Sequence, residues 1–318
     1  MKYFIGLIVL LFLNACGKME SMDDPGNLVP KTVTDNPDLP QLLINGTILH
    51  TEAFGNPNDP VLIVLHGGPG LDYRSLLQYQ ELASDGYYVV FFDQRGSGLS
   101  ERVDTESITL KNYTEDLKQV INHYTLSDTQ EVNFLGHSWG AMYATMFINE
   151  YPERITNAIY VEPGGFTSDE IADFFGKTFQ PELFSEWMND MAWVNNGYSS
   201  DSHEKVDYKQ AMLVANVIVH QMDNEEHPAP SWRWGGMVSI HLPRDQKEFD
   251  WTTNLAAFEN EVLFINSELN TVQTLEHQKG LASHYPNAEV VTINDVGHDV
   301  LYQRFEECRV LILNLLNR

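Results

Sequence analysis

Ser138 stands in Gly136-His137-Ser138-Trp139-Gly140, between an apolar run of strand length, EVNFLG, and a helical stretch, AMYATMF. Small residues on both sides of a serine let the backbone turn sharply from strand to helix, which lifts Oγ above a sheet edge and aims it beside a helix N-terminus. The chemistry this spacing offers is attack on a carbonyl carbon. A serine hydroxyl is a poor nucleophile until a base removes its proton. His298, in VTINDVGHDVLYQ, follows a strand and a Gly-bearing loop and is the base the sequence offers. His66 and His137 flank motif glycines and read as structural, while His203, His220, His227, His241, His277 and His284 lack comparable placement. Backbone N–H groups must meet the charge that develops on the carbonyl oxygen. Trp139 offers one from the helix start; Gly68 in His66-Gly67-Gly68-Pro69-Gly70 offers the other, since glycine lets an oxygen approach the backbone closely.

These residues need a frame. VLIVLHG, YYVVFFD, EVNFLG and AIYVE alternate with the helical stretches LLQYQELASDG, YTEDLKQVINHY and AMYATMFINEY, and EVLFIN and EVVTI resume the pattern near the end. Apolar strands alternating with helices predict an α/β fold with a mostly parallel sheet covered on both faces. The expected core comprises residues 42–165 and 252–318. Between them, 166–251 contains helical stretches, several Met and Trp187, Trp193, Trp232, Trp234 and Trp251, without a clear strand, so it reads as an inserted helical cap.

Together HGGPG at 66–70, DQRGSGLS at 93–100, GHSWG at 136–140 and VGH at 296–298 resemble the proline iminopeptidase-like branch of the α/β-hydrolases. The resemblance implies an acyl-enzyme mechanism on a small peptide, amide or ester. It also exposes two departures. That family's acid is usually an Asp shortly after the strand read here as EVLFIN, and the alignment puts Asn270 there. An amide cannot stabilise an imidazolium as a carboxylate does. Glu162, at the end of NAIYVE, is the expected replacement, because the haloalkane dehalogenases, similar in fold, include members with a Glu after this same strand. Glu268 is the alternative, and Asn270, Asp295 or no acid at all stay open. The family's cap also carries a Glu that holds the substrate's free amino terminus; the comparable stretch is Trp232-Arg233-Trp234-Gly235-Gly236, with Gly235 in that place. Glu182, Glu186, Glu225 and Glu226 are other cap acids, and Trp232 and Trp234 are candidate linings of a substrate pocket. Asp93 and Arg95 are expected to hold loops.

The chain of 318 residues, 43% hydrophobic, is long enough for such a domain. Its formal charge of −26 argues against nucleic acid as a partner, because a phosphate array would be repelled. Lys2, the apolar run from Ile5 to Leu13 and Leu13-Asn14-Ala15-Cys16 match a secretory signal (1–15) and resemble a bacterial lipobox. That resemblance implies cleavage before Cys16, lipidation of its thiol and an exported protein held to a membrane by lipid alone. The Pro-, Asp- and Asn-rich stretch within 16–41 reads as a flexible tether. Cys308 is the other of the two cysteines and reads as a buried helix residue. No His/Cys/Asp cluster has metal-ligand spacing, and HGGPG lacks G-x-G-x-x-G, so neither metal nor cofactor is expected. A non-catalytic binding lipoprotein is the competing class; an Asp-nucleophile hydrolase is excluded by Ser138.

Overall fold

The structure is a computed structural model and describes residues 27–178, 202–221, 229–245 and 248–318. The expected signal segment and Cys16 lie outside the described residues, as do Trp187, Trp193, Glu182, Glu186, Glu225, Glu226, His227 and the first part of the tether. Among the described residues no helix is long and apolar enough to cross a membrane.

Eight strands form one sheet: β1 (Gln41–Ile44), β2 (Thr47–Phe54), β3 (Val61–Leu65), β4 (Tyr88–Phe92), β5 (Val132–His137), β6 (Asn157–Val161), β7 (Val262–Ser267) and β8 (Ala288–Ile293). Their spatial order is β1-β2-β4-β3-β5-β6-β7-β8. β1 pairs antiparallel with β2 and β2 with β4, and every other pairing is parallel. The mostly parallel sheet is the one expected from the alternation, and it fits the α/β-hydrolase fold that the motif resemblance implies. Each central strand buries both faces, and the period of two divides its residues between two cores. Val61, Ile63 and Leu65 pack with Phe134 and Tyr160 under the helices Leu110–Tyr124 and Trp139–Glu150. Leu62, Val64, Leu135 and Ile159 pack with Leu76, Leu82 and Ile312 from the opposite side. Cys308 is fully buried in the last helix, Phe305–Leu316, and burial pushes its thiol up to about 12.

The strand pattern stops at Val161 and resumes at Val262, and the described residues between are helical at Ser168–Thr178, His203–Gln221 and Gly236–His241. This segment leaves and rejoins the core through a narrow neck, where Trp251 N–H donates to Phe166 O at 2.9 Å and Ser168 N–H to Phe249 O at 3.0 Å. The tether expected through residue 41 ends earlier in space than in the sequence reading. Val29, Thr32 and Val33 are buried, and Val33 N–H donates to Leu99 O at 2.8 Å. Composition marked this stretch as solvated because its Pro, Asp and Asn hide two valines that the core takes in.

Candidate active site

The parallel strands deliver the chemistry-bearing residues to one edge. His66-Gly67-Gly68 follows β3, Asp93 follows β4, Ser138 follows β5, Glu162 follows β6, Asn270 follows β7 and His298 follows β8. Chain order reverses across β3, and such switch points at the carboxyl ends of strands leave a crevice for ligands.

Ser138 adopts φ 53 and ψ −118 at the start of the helix Trp139–Glu150, a conformation few non-glycine residues hold. The flanking glycines make this turn possible. A Cβ at Gly136 would lie 2.6 Å from Ala141 N, and one at Gly140 would lie 2.0 Å from Leu65 O. Ser138 N–H is held by Val161 O at 2.7 Å, which ties the elbow to β6. The indole Nε1–H of buried Trp139 donates to Gln94 Oε1 at 2.8 Å, and Gln94 Nε2 donates to His66 O at 2.9 Å, so the elbow and the His66 turn share one scaffold. That turn passes beside the serine: a Cβ on Gly67 would come within 3.4 Å of Ser138 Cβ. Gly68 follows with φ +127, where a side chain would be strained, and the bond to Pro69 is cis. The Trp139 amide lies in the first turn of its helix, where N–H groups have no intrahelical acceptor.

His298 Nδ1 lies 2.7 Å from Glu162 Oε2. Glu162 is fully buried and, like Ser138, sits at positive φ (50°). Its other oxygen accepts from Ser267 N–H at 2.8 Å and from Ser267 Oγ, while Asn270 Nδ2 donates to Oε2 at 2.7 Å. Burial alone would raise its pKa. The His298 hydrogen bond and charge and the Ser267 hydrogen bonds outweigh burial and hold the carboxyl below the usual carboxylate range. The Nδ1 contact leaves Nε2 of the half-exposed imidazole for a proton from a nucleophile.

His137 was expected to be structural, and the structure gives that role a target. Its Nε2 lies 2.9 Å from His298 O, and the two rings lie 4.7 Å apart. Burial first, then the neighbouring His298 charge, lower its pKa to about 4, so the ring is neutral near pH 7 and Nε2–H donates to that carbonyl. His66 is likewise buried and shifted down by burial, with Nδ1 on Gly67 O at 2.8 Å.

Asn270 stands beside the imidazole, its Nδ2 3.4 Å from His298 Nδ1, yet its nearer partner is Glu162. Glu268 turns elsewhere: it is exposed, and its Oε2 accepts from Asp295 N–H at 3.0 Å. Asp93 accepts from Tyr73 N–H, Leu99 N–H and His50, and Arg95 holds Asp116 through two nitrogens at 2.8 and 2.6 Å. Both act on loops. Trp232 packs edge-on against Tyr73 and His50 with centroids at 5.1 and 5.5 Å, so its described contacts are packing of the cap loop onto the core. Trp234 reaches the His66 turn more directly, because Nε1–H donates to Ser239 Oγ at 2.6 Å and that hydroxyl donates to Pro69 O at 2.7 Å. Gly235 is wedged: its N–H donates to Gly70 O at 2.7 Å, and a Cβ would lie 2.2 Å from Gly96 O. Sequence reasoning missed Ser267, Gln273, whose Nε2 donates to Glu162 O, and Asp72, whose Oδ2 accepts from the Trp232 and Arg233 amides; these are contacts between distant segments without a motif. Among the described residues no group of three or more His, Cys, Asp or Glu is arranged to hold a metal ion.

Fold and site together define the class: residues 60–305 match the alpha/beta hydrolase fold family, and the chain belongs to that family. It is 39% identical over 103 residues to a proline iminopeptidase of Heyndrickxia coagulans, covering 32% of this chain and 34% of that protein. The match thus spans about a third of that relative's length. A longer match, 24% identical over 252 residues, joins 73% of the chain to 75% of the Haemophilus influenzae protein named "Probable lysophospholipase L2". Among solved structures, an epoxide hydrolase of Bacillus megaterium superposes with TM-score 0.64 at 20% identity over 87% of this chain and 100% of that one. The enol-lactonase of Burkholderia xenovorans gives 0.60 at 18% identity over 88% and 100%. These likenesses establish a common fold.

Proposed function

We propose that the protein is a serine hydrolase that forms an acyl-enzyme on a small carboxylic ester, lactone or amide. The observation that carries this reading is the 2.7 Å contact between buried Glu162 and His298 Nδ1 beside the Ser138 turn. Ser138 Oγ attacks the carbonyl carbon while His298 Nε2 takes its proton, and the ionised Glu162 stabilises the imidazolium and fixes its tautomer. The Trp139 and Gly68 amides meet the oxyanion. Collapse returns the proton to the leaving group, and water then repeats the sequence in reverse on the acyl-enzyme.

A second reading, removal of an N-terminal proline from a short peptide, is favoured by the iminopeptidase relative. Gly235 weighs against it, since the space where a side-chain carboxylate would start is filled by Gly96 O. The test is kcat/KM on a short acyl ester and on a proline arylamide, with Ser138→Ala as control, together with fluorophosphonate labelling. Ser138-dependent preference for the ester is expected. Preference for the arylamide would move the assignment to the peptidase, and absence of labelling would leave a binding protein.

For location, Lys2, the apolar run and Leu13-Asn14-Ala15-Cys16 support an exported, lipid-anchored protein. Cys16→Ser should then shift it from the membrane to the soluble fraction; unchanged partitioning would refute the anchor.

A further inference from the structure

The segment 29–33, in which Val29, Thr32 and Val33 are buried, meets through Pro30 the cap loop that closes over the His66 turn, and Val33 N–H holds it to Leu99 O. Pro30 O accepts from Arg233 Nη1 at 2.7 Å. The same guanidinium, 6% exposed, places Nε 2.7 Å from Asp207 Oδ2. Asp207 is fully buried and also takes Arg102 Nε at 2.9 Å and Gly236 N–H at 3.0 Å. Arg102 spends its other nitrogens on the carbonyls of Ser97, Ser100 and Gly98. One carboxylate thus serves two buried guanidinium groups, and buried cationic N–H donors need acceptors. The Pro30 carbonyl is the acceptor that the N-terminal segment brings.

The other side of this loop grips the turn. Trp232 N–H and Arg233 N–H donate to Asp72 Oδ2 at 2.6 and 2.9 Å, Gly235 N–H donates to Gly70 O at 2.7 Å, and Ser239 Oγ to Pro69 O at 2.7 Å. All three residues gripped follow Gly68 within four positions. We propose that residues 29–33 form a strap which, through Arg233 and Asp207, holds the loop at 232–235 and the start of the helix Gly236–His241 onto the oxyanion turn, making the strap and Arg233 positioning elements for hydrolysis. The proposal rests on the hydrolase reading above. Its physical basis is that catalytic donors act only within a narrow geometry, so a loosened turn weakens transition-state stabilisation more than it weakens ground-state binding.

The test uses the full chain with Val33→Asp, which unseats the strap, and the near-isosteric Val33→Thr as a milder variant should the first unfold. Hydrogen exchange at the amides of Trp232, Arg233 and Gly235 reads the loop, with the amides of β5 and β6 as the fold control. The expected result is exchange at those three amides faster by about tenfold or more with β5 and β6 unchanged, and kcat lower by about tenfold with KM altered far less. A synthetic peptide of residues 27–38 should partly restore kcat. Unchanged exchange at the three amides would overturn the strap, and faster exchange with normal kcat would overturn its positioning role. If no Ser138-dependent turnover exists, the hydrolase reading and with it the positioning role fail, while the exchange result still decides whether the strap holds the loop.

Discussion

The side-chain amide of Asn270 donates to Glu162 Oε2 at 2.7 Å, the same oxygen that meets His298 Nδ1. The residue in the family's acid position therefore supports a carboxylate that comes from the neighbouring strand, and β6 and β7 offer two routes to one imidazole. On the proposed mechanism Glu162→Gln should lower kcat by about 10³–10⁴-fold, as loss of the carboxylate does in serine triads. Glu162→Gln combined with Asn270→Asp should recover at least tenfold of that loss, measured on the same ester; a double variant no better than the single would show that the two positions are not interchangeable.

Glu268→Gln should leave kcat within about twofold and stability within about 0.5 kcal/mol, as is usual for exposed sites. Its carboxylate serves the Asp295 amide and faces solvent. A large kcat loss in ester assays would return it to the list of acids.

Gly235→Glu should yield no aminopeptidase. A side chain there meets Gly96 O and the Ser97 backbone, so Gly235→Ala is expected to destabilise by about 1–3 kcal/mol in thermal or denaturant melts, and Gly235→Glu at least as much. A stable Gly235→Glu protein with new activity on proline arylamides would contradict the wedged geometry.

Acid should weaken the fold partly through His137. Its pKa is about 4 in the folded protein against an ordinary 6.5, so between those values the unfolded chain binds the extra proton. Stability is full above about pH 6.5 and declines toward pH 4, with a slope of up to about 1.4 kcal/mol per pH unit from this residue. Glu162, whose pKa is also lowered, adds to the acid-side loss below the ordinary carboxylate range. His137→Asn should flatten the pH dependence of Tm between 6.5 and 4 while lowering Tm at pH 7. An unchanged slope would show that His137 does not take up the proton.

The sequence by itself determined the sheet and the strand-to-helix turn at Ser138, and it singled out His298. Val61–Leu65, Val132–His137 and Val262–Ser267 are apolar runs whose alternate residues face two cores, and Gly136 and Gly140 flank Ser138 because no larger residue clears Ala141 and Leu65. Such signals are local, so they survive in a linear string. Glu162 was the expected replacement through a resemblance, with Glu268 as the alternative, because its claim depends on where β6 ends relative to β7 and β8. Tertiary structure alone put Glu162 rather than Glu268 against His298, gave the Asn270 amide to Glu162, and drew Val29, Thr32 and Val33 out of the expected tether into buried positions. Each of those outcomes is a contact between segments far apart in the chain, and the free energy of such contacts comes from burial and donor–acceptor matching that no single stretch of sequence contains.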